Sequence, residues 1–440
     1  MPVTVLLTNT NWWPVSAHIA VSLQTAGVRV AAAYPSHGHP LGKTVAVSKR
    51  FPYSALSPLK SLTRAIRESS ADWILPCDDR AAWHLHRLHA QAILNGNTSK
   101  PLADLIERSL GSPAAFPVVS ARAALLRSAQ AENIAVPEFC EVISLEDLRT
   151  LDKTKSYPWV MKVDGSWGGL GVKVVNSLKE AEACFHRMRE PLGTLPMLKR
   201  LLVNRDAFWF ESWRNRQRPG ITIQSYIEGR PANCVVFCTQ GKVVAGIAVE
   251  VVAAQGRMGP ATIVRIIDGR QMLDAAETLV NRLKLSGFHG FDFMLEEKSG
   301  MAYLIELNPR CAMPCHLRLG KGRDLIGSLY SELSGKSSQE APPSLNGNLV
   351  CYFPQAWLSN PKSEALRTAY HDVPWGEPQL LKELLLLPWP DRSFLAQTSD
   401  RLRNMTLEQR SAQNSVFQPL SETVDAAVSG SPASRPREVV

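Results

Sequence analysis

Apolar runs and helix-period stretches alternate along the first hundred residues of the 440-residue chain. Residues 4–8 form a short apolar run, which turn residues and a helix-like stretch at 16–26 follow. Residues 28–33 read as a second strand. Residues 72–75 repeat the pattern, ending in Pro76-Cys77-Asp78-Asp79 before a helix that starts at Arg80. Strands alternating with helices predict a parallel sheet covered on both faces. A helix over 121–132 then leads through Ile134-Ala135-Val136-Pro137 into a second strand-rich region that runs to about residue 335. From about 345 to 395 prolines break the periodicity, and the Ser/Ala/Pro-rich end, 429–440, has the composition of a disordered tail.

Composition adds limits. The chain is 45% apolar and 20% charged, as in an ordinary globular protein, and no apolar run reaches the roughly 20 residues that span a bilayer. The start, MPVTVLLTN, has no basic flank of a secretory signal and reads as a first buried strand. The eight cysteines show no paired metal-ribbon spacing, and reduced thiols in a cytoplasmic protein are expected. The net charge of +9 draws partly on a basic cluster between Arg187 and Arg218. That cluster is a solvated surface or an attractor of anionic substrates; no nucleic-acid reader motif accompanies it.

Three segments carry chemistry. In the first, the strand Trp159-Val160-Met161-Lys162-Val163 delivers a lysine into Asp164-Gly165-Ser166-Trp167-Gly168-Gly169-Leu170-Gly171. Its glycines let successive backbone N–H groups point into one concavity, which Ser166 and Lys162 complete as a phosphate cradle. A mobile hairpin turn is the plainer account. It is not a Walker loop, and GxGxxG is absent from the first βα turn, where Asn9-Thr10-Asn11-Trp12-Trp13 stands. Asp78 and Asp79, at a strand's carboxyl end, touch a ligand or cap a helix.

The second segment is a predicted hairpin. Residues 290–295 and 301–310 are strands joined by Lys298-Ser299-Gly300. Alternation puts Glu306 and Asn308 on one face and Tyr303, Ile305 and Leu307 on the other. Pairing about Ser299 sets Asp292 opposite Glu306, unless a bulge shifts the register. Facing carboxylates repel, so a cation or a retained proton is expected, and Asn308 completes an oxygen set suited to Mg²⁺, with Mn²⁺ as an alternative. The third segment, Ile221 to Gly229, is an alternating strand that runs into a glycine turn.

Together these segments resemble the ATP-grasp superfamily over about residues 110–335. The resemblance implies an α/β fold: an N-terminal parallel α/β domain (1–110), an ATP-grasp domain of two subdomains (111–335), an irregular accessory region (336–395) and a tail (396–440). It implies ATP contacts from Lys162, Ser166, Gly168, Gly169 and Gly171, and an adenine edge at Gln224, Tyr226 and Ile227. Asp292, Glu306 and Asn308 match the family's metal set, and Arg310 matches the arginine of members whose motif ends Asn-Pro-Arg. Two positions depart from the pattern. Arg122 stands where an early lysine meets phosphate, and Arg230-Pro231-Ala232-Asn233 replaces the ribose-holding acid, leaving Glu228 and Asn233 as substitutes.

The implied activity is carboxylate–amine ligation through an acyl phosphate, with Lys162, Arg310 and Arg265 as catalytic residues. Arg265 is equally readable as a surface arginine. His316 and Arg318 are candidates for the acceptor pocket, and His289 for a structural role. The implied partners are a small carboxylate and an amine, with no nucleic acid or membrane; a homodimer is compatible with the reading. A carboxylase acting through carboxyphosphate is the enzymatic rival, although the chain has no biotin-carrier motif. A non-catalytic nucleotide sensor is the rival from another class.

Overall fold

A computed structural model describes residues 3–36, 38–165, 171–190, 193, 194, 197, 210–214, 219–256, 259–336 and 347–386. Thr4–Thr8 (β1), Arg29–Tyr34 (β2), Val47–Pro52 (β3) and Trp73–Pro76 (β4) form a parallel sheet in the order β3-β2-β1-β4. Helices Val15–Thr25 (α1), Pro58–Ser69 (α2), Asp79–Leu94 (α3) and Lys100–Leu110 (α4) cover it. The unbroken apolar run of β1 reflects burial on both sides: Val5 and Leu7 pack with α1, while Leu6 packs with α2, α3 and α4. The order in which strands are added reverses beside β1, with β2 and β3 on one side and β4 on the other. The carboxyl ends of β1 and β4 therefore flank a crevice of the kind in which open α/β sheets bind ligands. β3, with its Ser-Lys-Arg centre, gave no apolar signal and escapes the sequence pattern.

Phe139–Val142 (β5), Trp159–Val163 (β6), Val172–Val175 (β7) and Ile221–Ser225 (β8) form a small antiparallel sheet, in the order β5-β8-β6-β7. Its buried face (Trp159, Met161, Ile221, Ile223) packs on the helices Leu145–Asp152 and Leu178–Arg189.

The largest sheet contains Gly229–Thr239 (β9), Lys242–Ala254 (β10), Ala261–Ile267 (β11), Gly287–Glu296 (β12), Ala302–Asn308 (β13), Leu349–Cys351 (β14) and Tyr370–His371 (β15). The order is β13-β12-β9-β10-β11-β14-β15, antiparallel except where β15 joins β14. One face (Cys234, Val236, Ala248, Phe291, Phe293) lies on the helix Arg270–Leu283. The other (Val235, Phe237, Ile247, Val249) joins the core of β1 and α1. That shared core fixes the N-terminal sheet against the largest one. Burying this apolar area stabilises the join by about 25 cal/mol per Å².

The expected fold class is the one observed. No helix among the described residues is long and apolar enough to cross a membrane. All eight cysteines are free. Residues 396–440, expected to be disordered, lie outside the described residues, as do five members of the basic cluster, Lys199, Arg200, Arg205, Arg216 and Arg218.

Candidate active site

Strand β12 alternates Phe291, Asp292, Phe293, with both phenylalanines in the core beneath the sheet. Anchoring the aromatic pair turns Asp292 to the opposite face. Register sets Asp292 against Glu306 on β13 and against Asn233 on β9. The pairing arises by an unexpected route. Near the turn Phe293 pairs Leu304, Met294 pairs Tyr303 and Leu295 pairs Ala302; the register then slips between Asp292 and Phe293, leaving Ile305 as the extra residue. The expected face partition therefore holds for Glu306, Asn308 and Leu307 and is corrected for Tyr303 and Ile305. Leu304 and Leu307 enter the core, whereas Tyr303 and Ile305 stay half-buried, because the extra residue breaks the period of two.

Asp292 is wrapped by amides. The Asn233 side chain donates to Oδ1, and Asn308 Nδ2 donates to Oδ2 at 2.8 Å. Burial raises the Asp292 pKa, and the charge of Glu306 raises it further, against the lowering effect of the two amides. Asn233, a candidate for the ribose, thus supports the platform through its amide nitrogen, and its Oδ1 is buried without a partner. Glu306 Oε1 accepts from Arg122 Nη2 at 3.0 Å, and no partner is recorded for Oε2 among the described residues.

Lys162 comes from the small sheet, where it pairs Val172 and Thr222. It is buried, and its pKa is pushed down to about 8, chiefly by desolvation, with Glu306 and Asp292 opposing and Arg122 assisting. The ammonium and both platform carboxylates therefore share one field. Arg122, at the start of the helix Arg122–Ala131, stands between them. Its Nη1 reaches the Val163 carbonyl at 3.3 Å and Asp164 Oδ1 at 3.5 Å, while Nε is buried with no partner. Of the cradle residues, Gly171 is described and its carbonyl accepts from Val163 N. Ser166, Gly168 and Gly169 lie outside the described residues.

The adenine edge follows β8. Gln224 is buried with Nε2 unpartnered, and Tyr226 N donates to the Pro158 carbonyl at 3.3 Å. Among the described residues no backbone hydrogen bond engages Ile227. The edge is closed at Gly229, where a Cβ would stand 2.0 Å from the Leu295 carbonyl oxygen. Glu228 is exposed, and its carbonyl receives Glu297 N.

Arg310 ends the platform. Nη2 reaches Asn308 Oδ1 at 3.3 Å, Nη1 the Cys311 carbonyl at 3.2 Å, and Nε pairs Asp79 Oδ1 at 2.9 Å. Asp78 caps α3 through Ala81 N and also accepts from Thr10 N and Oγ1. The two adjacent acids therefore divide the roles proposed for them: Asp78 caps, and Asp79 meets the site. Asp79 and Arg122 bring contacts that no local pattern could reveal, since their partners stand in other sheets.

Four further candidates have partners of their own. Arg265 sits within β11, opposite Glu250, on the face that carries Ala232 and Ala248. Strand alternation thus turns it away from Asp292, and it lies 3.9 Å from Glu250, which pairs Arg230 at 2.7 Å. His316, a candidate for the acceptor pocket, is buried against Asp372 at 2.8 Å. Arg318 pairs Asp324 at 3.7 Å, and His289 is buried on the Ser286 carbonyl at 2.9 Å, as a structural histidine.

Comparison with known proteins accords with this geometry. A family model described as an ATP-grasp domain matches residues 199–314. Curated proteins gave no match. Among solved structures, an ADP complex of N5-carboxyaminoimidazole ribonucleotide synthetase superposes with a TM-score of 0.54 at 14% identity, covering 77% of this chain and 79% of that one. Biotin carboxylase from Campylobacter jejuni gives 0.54 at 16%, covering 78% and 72%. An L-amino acid ligase from Bacillus licheniformis gives 0.52 at 16%, covering 78% of each chain. At such identities the likeness establishes architecture alone. With the family model lying across β9–β13 and the fold shared along three quarters of the chain, this protein carries an ATP-grasp domain.

Proposed function

We propose that the chain is an ATP-dependent carboxylate–amine ligase that activates its acid as an acyl phosphate. The observation that carries this reading is the convergence of Asp292 and Glu306, in register on one face, with Lys162 from a second sheet and Arg310 at the edge of a third.

The platform suits a divalent cation. Two carboxylates face each other, Asp292 is held against its own desolvation, and Glu306 keeps an oxygen without a recorded partner. Asp292, Glu306 and Asn308 would hold Mg²⁺, which when bound neutralises phosphate charge. Lys162 holds the polyphosphate as a point charge, and Arg122 shares that task at the position of the usual early lysine. Tyr226 and Ile227 present backbone edges to the adenine.

Two steps follow. A substrate carboxylate oxygen attacks the γ-phosphorus, and the bond to the ADP oxygen breaks with its electron pair. An amine nitrogen then attacks the acyl carbon; phosphate departs with the C–O pair, and the nitrogen loses its proton. Arg310 stabilises charge gathering on the transferred phosphoryl group. Asp79, a half-exposed carboxylate beside Arg310 at the crevice of β1 and β4, favours an ammonium-bearing acceptor there.

Phosphate release from Mg·ATP against a panel of carboxylates, with amines or with bicarbonate, tests the reading. Release that needs both an acid and an amine supports it. Release with bicarbonate alone replaces it with a carboxylase, and tight nucleotide binding without any turnover replaces it with a sensor. Glu306→Gln is expected to abolish Mg²⁺-dependent release with the fold intact by circular dichroism. Normal turnover of that variant would remove the metal assignment.

A further inference from the structure

Away from the platform, three segments remote in sequence bury a second cluster of ligating side chains. His18 comes from α1, His316 from the one-turn 3-10 helix Met313–His316 beyond the Asn-Pro-Arg motif, and Asp372 from just after β15. Their exposures are 5%, 8% and 7%. One ligand atom from each lies within 4.8 Å of the other two, and no other group of three His, Cys, Asp or Glu among the described residues does this. The rings of His18 and His316 are 5.0 Å apart between centroids, and His316 Nε2 stands 2.8 Å from Asp372 Oδ2.

The second observation is unsatisfied polarity. His18 Nε2 is buried with no hydrogen-bond partner. Orphaned buried nitrogens are costly unless something missing from the protein's own atoms satisfies them. The surroundings are arranged as for coordination. The Phe353 backbone lies in reach of the His18 ring, and Phe353 N donates to Asp372 Oδ1, so one backbone unit orients two of the three groups. Ser22 Oγ donates to the His316 carbonyl at 3.1 Å, tying α1 to the 3-10 helix a second time. The Phe353 backbone fixes the His18 tautomer and leaves Nε2 free for a metal, while His316 faces Asp372 through Nε2, the nitrogen with which it would ligate.

We propose that His18, His316 and Asp372 bind a divalent transition-metal ion of the zinc class. Two imidazoles and one carboxylate are the donor set such ions prefer, whereas Mg²⁺ selects all-oxygen sites like the platform. Three protein ligands leave a fourth position for water. The ion clasps α1, the segment behind Arg310 and the carboxyl-terminal strands into one unit, so its role is structural.

The full chain, equilibrated with Zn²⁺ and gel-filtered in Mg²⁺ buffer, is expected to retain one zinc. His18→Gln loses it, while Glu306→Gln keeps it. Co²⁺ in place of zinc gives the visible absorption of a four-coordinate ion in the wild type and not in His18→Gln. Chelation lowers the wild-type Tm by several degrees and leaves that of His18→Gln unchanged. Should His18→Gln fail to fold, Asp372→Asn carries the same comparison. Wild-type protein without bound zinc, or variants that retain it as wild type does, overturns the proposal; the cluster is then a hydrogen-bonded group that holds water.

Discussion

Asp79 and Arg310 show what single residues reveal and hide. Asn308-Pro309-Arg310 is legible locally, because alternation along one strand orders it. The ion pair to Asp79 is not, since its partner lies in another sheet. Arg310→Lys keeps the charge but loses the fork that reaches Asn308, Cys311 and Asp79 together. The expected outcome is a fall in kcat of about 10²–10³-fold, with nucleotide affinity nearly unchanged, read by steady-state phosphate release and ADP titration. His39 supports the neighbouring turn: Nδ1 accepts from Leu41 N and Nε2 donates to the Asn11 carbonyl. Burial pushes its pKa from 6.5 down to about 4. The folded state thus resists protonation that the unfolded chain accepts, so stability is full above about pH 6.5 and falls as the pH drops towards 4. His39→Gln is expected to recover about 2–3 kcal/mol of the loss between pH 7 and 4.5, measured by urea unfolding at the two values.

Elements were legible wherever a period persisted. The β12–β13 hairpin follows from alternation and its Lys-Ser-Gly turn, yet the Ile305 bulge has no sequence signature, because an extra strand residue is chosen by the fit against β12 and the core below. The long β9–β10 hairpin, which forms the sheet's centre, reads in sequence as a continuous apolar stretch that length alone does not assign. Gly229 marks where β8 hands over to β9, and its closeness to the Leu295 carbonyl requires the missing side chain. Gly229→Ala should displace the turn that carries Tyr226 and Ile227 and so raise the Kd for ADP more than it lowers Tm; calorimetry of both quantities checks this. In the small sheet's first helix, Ser144 and Asp147 form a reciprocal cap. Ser144→Ala should cost about 1 kcal/mol in thermal unfolding and leave turnover unchanged.

At the scale of the molecule, the site exists only where three sheets meet. The periodicity of the first hundred residues and the charge pattern of the hairpin made the fold class readable. The way the sheets close on one another was not, because it depends on a core shared by residues as distant as Val5 and Phe237. Arg122 marks the consequence. It reaches Glu306 Oε1 on the large sheet and the Val163 carbonyl on the small one, so it already neutralises the carboxylate that the proposed cation would share. On the proposed assignment, guanidinium and cation compete for one carboxylate's charge until phosphates draw the arginine away. Cooperative binding of nucleotide and metal is then the expected outcome: each should lower the other's Kd by the same factor, by thermodynamic reciprocity. The Mg²⁺ midpoint measured with ADP present should lie well below that without it, and Arg122→Ala should narrow the gap. On this proposal Arg122 serves as an internal counter-ion that sets the order in which nucleotide and metal enter.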